Sequence, residues 1–292
     1  MRRTSVKGKS SDNPSPSLRP SIPVLPSLNH FYVVLDSATC HAIEEDVFLR
    51  THFAVNERRT TTNADMTYTG FYFYGVNTYF EFFDIVDFPR HRVGDSGIAF
   101  GFDQPGAIRV LHEKLASRIE SLKSVTRLYH GKQIPWFSMA TPKSLPYESE
   151  LSCWVMEYDP EFLANWNPQP RGTNRGISRK EILQRYCEIL NPVDDSILED
   201  VIGLTVAADV HATGSLIEFC LQLGYPIERT HNGDVILHGP DLILRMIPAT
   251  ESVRGIREIT MRTRSRSQCQ QEHPLGQSVL KLVGPSANWW FR

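Results

Sequence analysis

No uncharged hydrophobic run in this sequence approaches the roughly 18 residues that a membrane-crossing helix needs. Cysteine is scarce. The five present, Cys40, Cys153, Cys187, Cys220 and Cys269, are odd in number, widely spaced and never paired as CxxC, which argues against a disulfide framework or zinc knuckle and for reduced thiols in an intracellular, cytoplasmic protein. An excess of one charge is also missing. With 31 Lys and Arg against 33 Asp and Glu, the net charge is −2, so the chain lacks the basic surplus that binding a phosphate backbone draws on. Neither nucleic acid nor membrane is an expected partner. Arg171, Arg175, Arg179, Lys180 and Arg185 do cluster, but Ser178 and Glu181 lie among them and the group reads as the solvated face of a helix entry. There is no GxGxxG after a strand, no P-loop, no GxSxG elbow and no HExxH. The commoner nucleotide-binding, hydrolase and protease mechanisms are thereby removed.

What remains is a chain of 292 residues, 41% hydrophobic and 22% charged, long enough for two domains with real cores. Its first twenty residues carry five basic side chains and one acidic. Asn-Pro, Ser-Pro and Arg-Pro steps there spoil any amphipathic helix, so residues 1–26 read as a disordered tail.

The rest divides into similar units. The first runs from the strand "LNHFYVVLD" through a helix, "SATCHAIEEDVFLRTHF", with Ala42, Ile43, Val47 and Phe48 on one face. The strands "AVNERRTTT", "YTGFYFYG" and "TYFEFFDIVD" follow, rich in β-branched and aromatic residues. The order is βαβββ. A second unit repeats it with "SGIAFGFD", "GAIRVLHEKLASRIESL", strands around "TRLYHGKQ" and "PWFSMATP", and "SCWVMEYDP". Asn, Pro, Gly and Arg dominate residues 165–174, and a helix at "SRKEILQRYCEIL" follows. A third unit contains "IGLTVAAD", "ATGSLIEFCLQLGY", "PIERTH", "GDVILHG" and "DLILRMIPA"; a fourth, shortened, with its helix missing or degenerate, contains "IREITMRTR", "QSVLKLVG" and "ANWWFR". This places one domain at 27–165, a helix-bearing linker at 166–199 and a second, degenerate domain at 200–292. The expected fold is α+β, with tandem βαβββ modules paired into half-barrels.

A helix ending in "LGY" and followed by "HGPDLILRM" resembles the glyoxalase-like modules of the vicinal oxygen chelate superfamily. "LNHFYVVLD", "RTTT", "YTGFYFYG", "TYFEFF" and the closing "GQSVLKLVG" and "ANWWF" are similar to the DUF5829 family. The first resemblance implies a cup whose metal ligands come from the first and last strand of each module. His30 and Glu81 take those positions in the first unit and Glu157 in the second, while Gly97 stands opposite His30. Gly203 and Arg245 replace the pair in the third unit, leaving the C-terminal domain a structural or pocket-closing partner. One imidazole and two carboxylates suit a divalent ion, Zn, Mn, Fe or Ni, that polarises a substrate oxygen or activates water. Glu81, Glu157 and Tyr32 are the expected catalytic side chains, Tyr32 because it shares a strand face with His30.

Glu81 also stands out without any resemblance, because a carboxylate among Tyr79, Phe80, Phe82 and Phe83 is solvent-facing, paired or part of a site. The reading is a metal-dependent lyase, isomerase or dioxygenase acting on a small oxygenated, ring-containing substrate, as a monomer or homodimer. Its alternatives are a metal-free binding or sequestering protein of the same fold and an interaction module using exposed strand edges.

Overall fold

The computed structural model describes residues 25–62, 67–88, 90–146, 149–170, 174–190, 196–230, 233–265 and 270–292. The tail expected at 1–26 lies outside these up to residue 24. Among the described residues, no helix is long and apolar enough to cross a membrane.

The first unit folds as β1 (Ser27–Leu35), α1 (Ser37–Glu45), β2 (Val55–Thr62), β3 (Thr67–Tyr74) and β4 (Tyr79–Asp84); the second as β5 (Ser96–Phe102), α2 (Ala107–Leu115), β6 (Lys123–Tyr129), β7 (Lys132–Ala140) and β8 (Leu151–Tyr158). Asp36 ends β1 and starts α1 in one step, accepting a hydrogen bond from Thr39 N at 2.9 Å as an N-cap. All eight strands share one sheet ordered β2-β3-β4-β1-β5-β8-β7-β6. It curls into a half-barrel whose edge strands β2 and β6 approach one another. β1 is buried along its whole length because both of its faces are covered, and Ser27, Asn29 and His30 are buried in it among apolar residues.

After α3 (Phe162–Asn165) and α4 (Arg179–Ile189), a second eight-stranded sheet forms from β9 (Leu198–Ala208), α5 (Val210–Leu223), β10 (Ile227–Arg229), β11 (Val235–His238), β12 (Ile243–Pro248), β13 (Gly255–Thr263), β14 (Gln271–Leu275), β15 (Ser278–Val283) and β16 (Ser286–Phe291), ordered β10-β11-β12-β9-β13-β16-β15-β14. In the fourth unit no helix lies between β13 and β14 among the described residues, and β14 is a strand that the sequence reading did not separate. Losing the helix has a topological consequence. A βαβββ unit uses its helix to return the chain, so its first and last strands run parallel, as β1–β4, β5–β8 and β9–β12 do. Without that return the parity flips, and β13 pairs with β16 antiparallel.

The two sheets share one core. Phe31, Phe73, Phe80 and Phe82 from the back of the first meet Leu204, Trp289 and Phe291 from the second, with Trp289 stacked edge-on against Phe73, Phe80 and Phe82. Polar ties accompany it. Asp200 accepts from the backbone and side chains of Asn77 and Thr78 in the β3–β4 turn, and Ser96 Oγ accepts from Ile256 N at 3.0 Å. Gly255 has φ 66° and lies so close to Gly94 O that a Cβ would stand 1.7 Å from it. Any side chain at position 255 therefore pushes the two sheets apart.

Candidate functional site

The front of the first sheet forms a concave aromatic face. Strand alternation brings Tyr32 and Val34, Tyr72 and Tyr74, Tyr79 and Phe83, and Trp154, Met156 and Tyr158 to it. His30 and Glu81 lie on the same face. Parallel pairing sets His30 beside Tyr79 and Tyr32 beside Glu81. His30 is held between rings, stacked on Tyr79 at 4.5 Å between centroids and edge-on to Trp154 at 5.3 Å. Its Nδ1 donates to Asn29 Oδ1 at 2.8 Å, which leaves Nε2 as an acceptor 3.9 Å from Glu81 Oε1. That gap is too long for a direct hydrogen bond.

Both groups are buried, and the surroundings push them in opposite directions. Burial, helped by the Arg59 charge, holds the His30 pKa down at about 3. Burial raises Glu81 to about 7, against the opposing pull of Arg59. A neutral imidazole thus faces a carboxyl poised near neutrality. For His30, the unfolded chain takes up a proton below 6.5 that the folded chain refuses, so its contribution to stability is complete above pH 6.5 and fades as pH falls towards 3. Glu81 keeps a proton that the unfolded chain gives up above 4.5, so its contribution is complete below 4.5 and is lost as pH rises through 7. The two trends oppose each other between 4.5 and 6.5. Thermal melts should show Glu81→Gln gaining on the wild type from pH 4.5 to pH 8 and His30→Gln gaining in the reverse direction. Parallel pH profiles in all three proteins would contradict the assignment.

Arg59, which the sequence reading did not single out, sits on the same face. Its guanidinium lies 4.0 Å over the Tyr72 ring and donates to Glu57 Oε1 and Tyr74 Oη at 2.7 and 2.9 Å. The signal was present in "VNERRTTT", where Val55, Glu57, Arg59 and Thr61 alternate onto one face. Two donors here go unused: Tyr72 Oη and Trp136 Nε1 are buried without a hydrogen-bond partner. Tyr72 Oη lies beside Thr61, Glu81 and Arg59, near enough to feel the charges of the last two, but none of the three stands in hydrogen-bond geometry to it.

Glu157 does not join the site. It alternates with Met156 and lies on the opposite face with Val155 and Cys153, where its carboxylate accepts from Gly106 N at 2.7 Å and Ile108 N at 3.0 Å and caps α2. The N-cap of helix α2 is Gly106, which has no side chain to cap it, so an acid from a neighbouring strand takes that role. Register explains the mismatch. Tyr79, beside His30, is followed two residues later by Glu81; Ser152, beside Gly97, is followed two residues later by Trp154. Trp154 is the register equivalent of Glu81. Gly97 leaves space there for aromatic packing, since a Cβ would stand 2.2 Å from the Tyr32 ring and 2.9 Å from that of Trp154. Tyr32 itself turns its hydroxyl towards Ser152 Oγ, 3.4 Å away.

Only His30 and Glu81 of the expected metal ligands come together, and among the described residues no group of three or more His, Cys, Asp or Glu side chains could hold a metal ion. This donor set does not fit the expected three-ligand metal site.

The cup is also filled. Phe162, Leu163 and Trp166 of the α3 region and Ile182, Leu183 and Tyr186 of α4 pack into its face, with Tyr186 stacked on Tyr74 at 5.3 Å. A capping box at Ser178 and Glu181 starts α4. Arg179, expected on a solvated face, is buried, as is Arg185. Arg179 donates to Asp103, Asp241 and the Leu28 carbonyl, and Arg185 to the Asn167 carbonyl at 2.6 Å. The segment expected as a linker is therefore the cover of the cup. In the second sheet, Gly203 and Arg245 stand where expected, Arg245 paired with Asp234.

Residues 28–291 match a family described as "Family of unknown function (DUF5829)". A comparison with curated proteins finds no match. Among solved structures, a hypothetical protein from Staphylococcus aureus is similar with a TM-score of 0.56 at 10% identity, over 87% of this chain and 98% of that one; this likeness concerns the fold alone. A xylose isomerase-like TIM barrel/4-hydroxyphenylpyruvate dioxygenase fusion protein aligns with a TM-score of 0.44 at 12% identity, over 83% of this chain and 37% of that one.

Proposed function

This chain belongs to DUF5829, a family of unknown function, and we propose that its first sheet is a glyoxalase-like cup of the vicinal oxygen chelate kind, working as a metal-independent binding site. The ligand is a small, ring-containing molecule with an oxygen acceptor. Module order and the pairing of β1 with β5 support the fold reading, with one domain at 27–165 and a second at 200–292.

One observation carries the binding reading: two buried donors, Tyr72 Oη and Trp136 Nε1, are unpaired in an aromatic cup roofed by the chain's own α3–α4 segment. A buried polar group without a partner costs about 1–3 kcal/mol. A ligand oxygen recovers that cost, and the rings supply apolar contact. Entry requires the α3–α4 cover to move aside.

The test is a fluorescence titration with 2-naphthoate, read from Trp136, Trp154 and Trp166 in chelator-treated protein. Saturable quenching is expected, weakened by about tenfold in Tyr72→Phe, whose own stability is unchanged or raised because the orphaned hydroxyl is gone. Equal affinity in Tyr72→Phe, or quenching that needs added metal, would overturn the reading. A second reading, acid–base catalysis by Glu81 and His30, is favoured by their opposed pKa shifts. It differs in requiring turnover that Glu81→Gln abolishes.

A further inference from the structure

A second polar site lies behind the cup, where the two sheets meet. β13 carries a bulge: Ile256 pairs with Val206 and Glu258 with Thr205, so Arg257 is the extra residue between them. Bulges re-aim a side chain. Arg257 lines a crevice between the sheets together with Asp36, Thr39, Gly94, Gln277 and Arg292. The enclosed part is small, about 20 Å³, the size of a water or the end of a ligand.

The guanidinium of Arg257 has no partner. Among the described arginines that are buried or half-buried, Arg59 pairs with Glu57, Arg127 with Tyr186, Arg179 with Asp103 and Asp241, Arg185 with Asn167, and Arg254 with Glu150. Arg257 alone among them forms no hydrogen bond or ion pair. Its surroundings desolvate it without a carboxylate in compensation, which holds its pKa below the usual arginine value. The nearby Asp36 is occupied in capping α1, accepting from Thr39 N at 2.9 Å and Thr39 Oγ1 at 2.7 Å. Arg292 lines the same crevice.

We propose that this crevice binds a single oxyanion group, a carboxylate or phosphate, against the Arg257 guanidinium, with the rest of the molecule left in solvent. A forked guanidinium donates to such a group bidentately, and the enclosed volume, about that of one water, admits an oxygen of the group and not a whole metabolite.

Calorimetric titration of the full chain with phosphate and, separately, with acetate, at ionic strength held constant with chloride, tests this and distinguishes the two sources. One saturable site is expected for at least one of them, absent in Arg257→Gln and about tenfold weaker in Arg257→Lys, which keeps the charge and loses the fork. Melting of Arg257→Gln in chloride alone should match or exceed that of the wild type, since an uncompensated half-buried charge has been removed. No saturable binding of either anion by the wild type, or equal binding by a folded Arg257→Gln, would overturn the proposal. The crevice opens away from the cup, so Tyr72→Phe leaves this binding unchanged.

Discussion

Trp289→Ala lowers the stability of the whole chain by about 3–5 kcal/mol, the range for removing a large buried aromatic side chain. Trp289 has no exposed surface and packs against Phe53, Phe73, Phe80, Phe82 and Phe291. Most of these rings belong to the first sheet, while Trp289 belongs to the second. The cavity therefore opens in the shared core, and both sheets should melt together at the lower temperature in calorimetry and in urea. Trp289→Phe keeps part of the ring contact and costs less. A second sheet that unfolds alone in Trp289→Ala, with the first sheet melting as in the wild type, would show that the core is not shared.

Arg179→Ala has the second large effect, about 3 kcal/mol and at the lower end of the range for breaking a buried charge pair. The lower end applies because Asp103 and Asp241 retain 38% and 33% of their side-chain surface in solvent. Arg179 ties the start of α4 to the end of β5 through Asp103 and to the second sheet through Asp241. Its loss releases the cover from one end. Limited proteolysis should then cut at α4 faster than in the wild type, and 2-naphthoate should associate faster with the cup. Arg179→Lys does not restore either property, because an ammonium cannot reach two carboxylates and the Leu28 carbonyl with the same fork. Unchanged cleavage and association in a destabilised Arg179→Ala would separate the stability effect from any gating by α4.

Much of the scaffold was legible in the sequence because its elements obey strong local rules. The apolar run of β1 and the aromatic strands β3 and β4 each carry a composition or period that admits one reading. Glu81 stood out because a carboxylate in a strand of aromatic residues has few explanations, and its partnership with His30 followed from the resemblance to glyoxalase-like modules. Glu157 was misplaced because its carboxylate was matched to Glu81 by type, whereas "CWVMEY" alternates and puts Trp154, Met156 and Tyr158 on the cup side. The role of α4 was not legible. Its pattern predicts a helix with one apolar face, and nothing in that pattern says which surface the face covers. Arg179 and Arg185 read as solvated because their partners, Asp103, Asp241 and the Asn167 carbonyl, are set by tertiary packing.

The central claim is that the His30–Glu81 cup works without a metal. Its most direct test is elemental analysis of the purified wild type beside His30→Ala and Glu81→Ala, each also after incubation with zinc, manganese, iron and nickel and removal of the excess. The account predicts no stoichiometric metal in any of the three. One equivalent of a divalent ion in the wild type that is lost from both variants would contradict it.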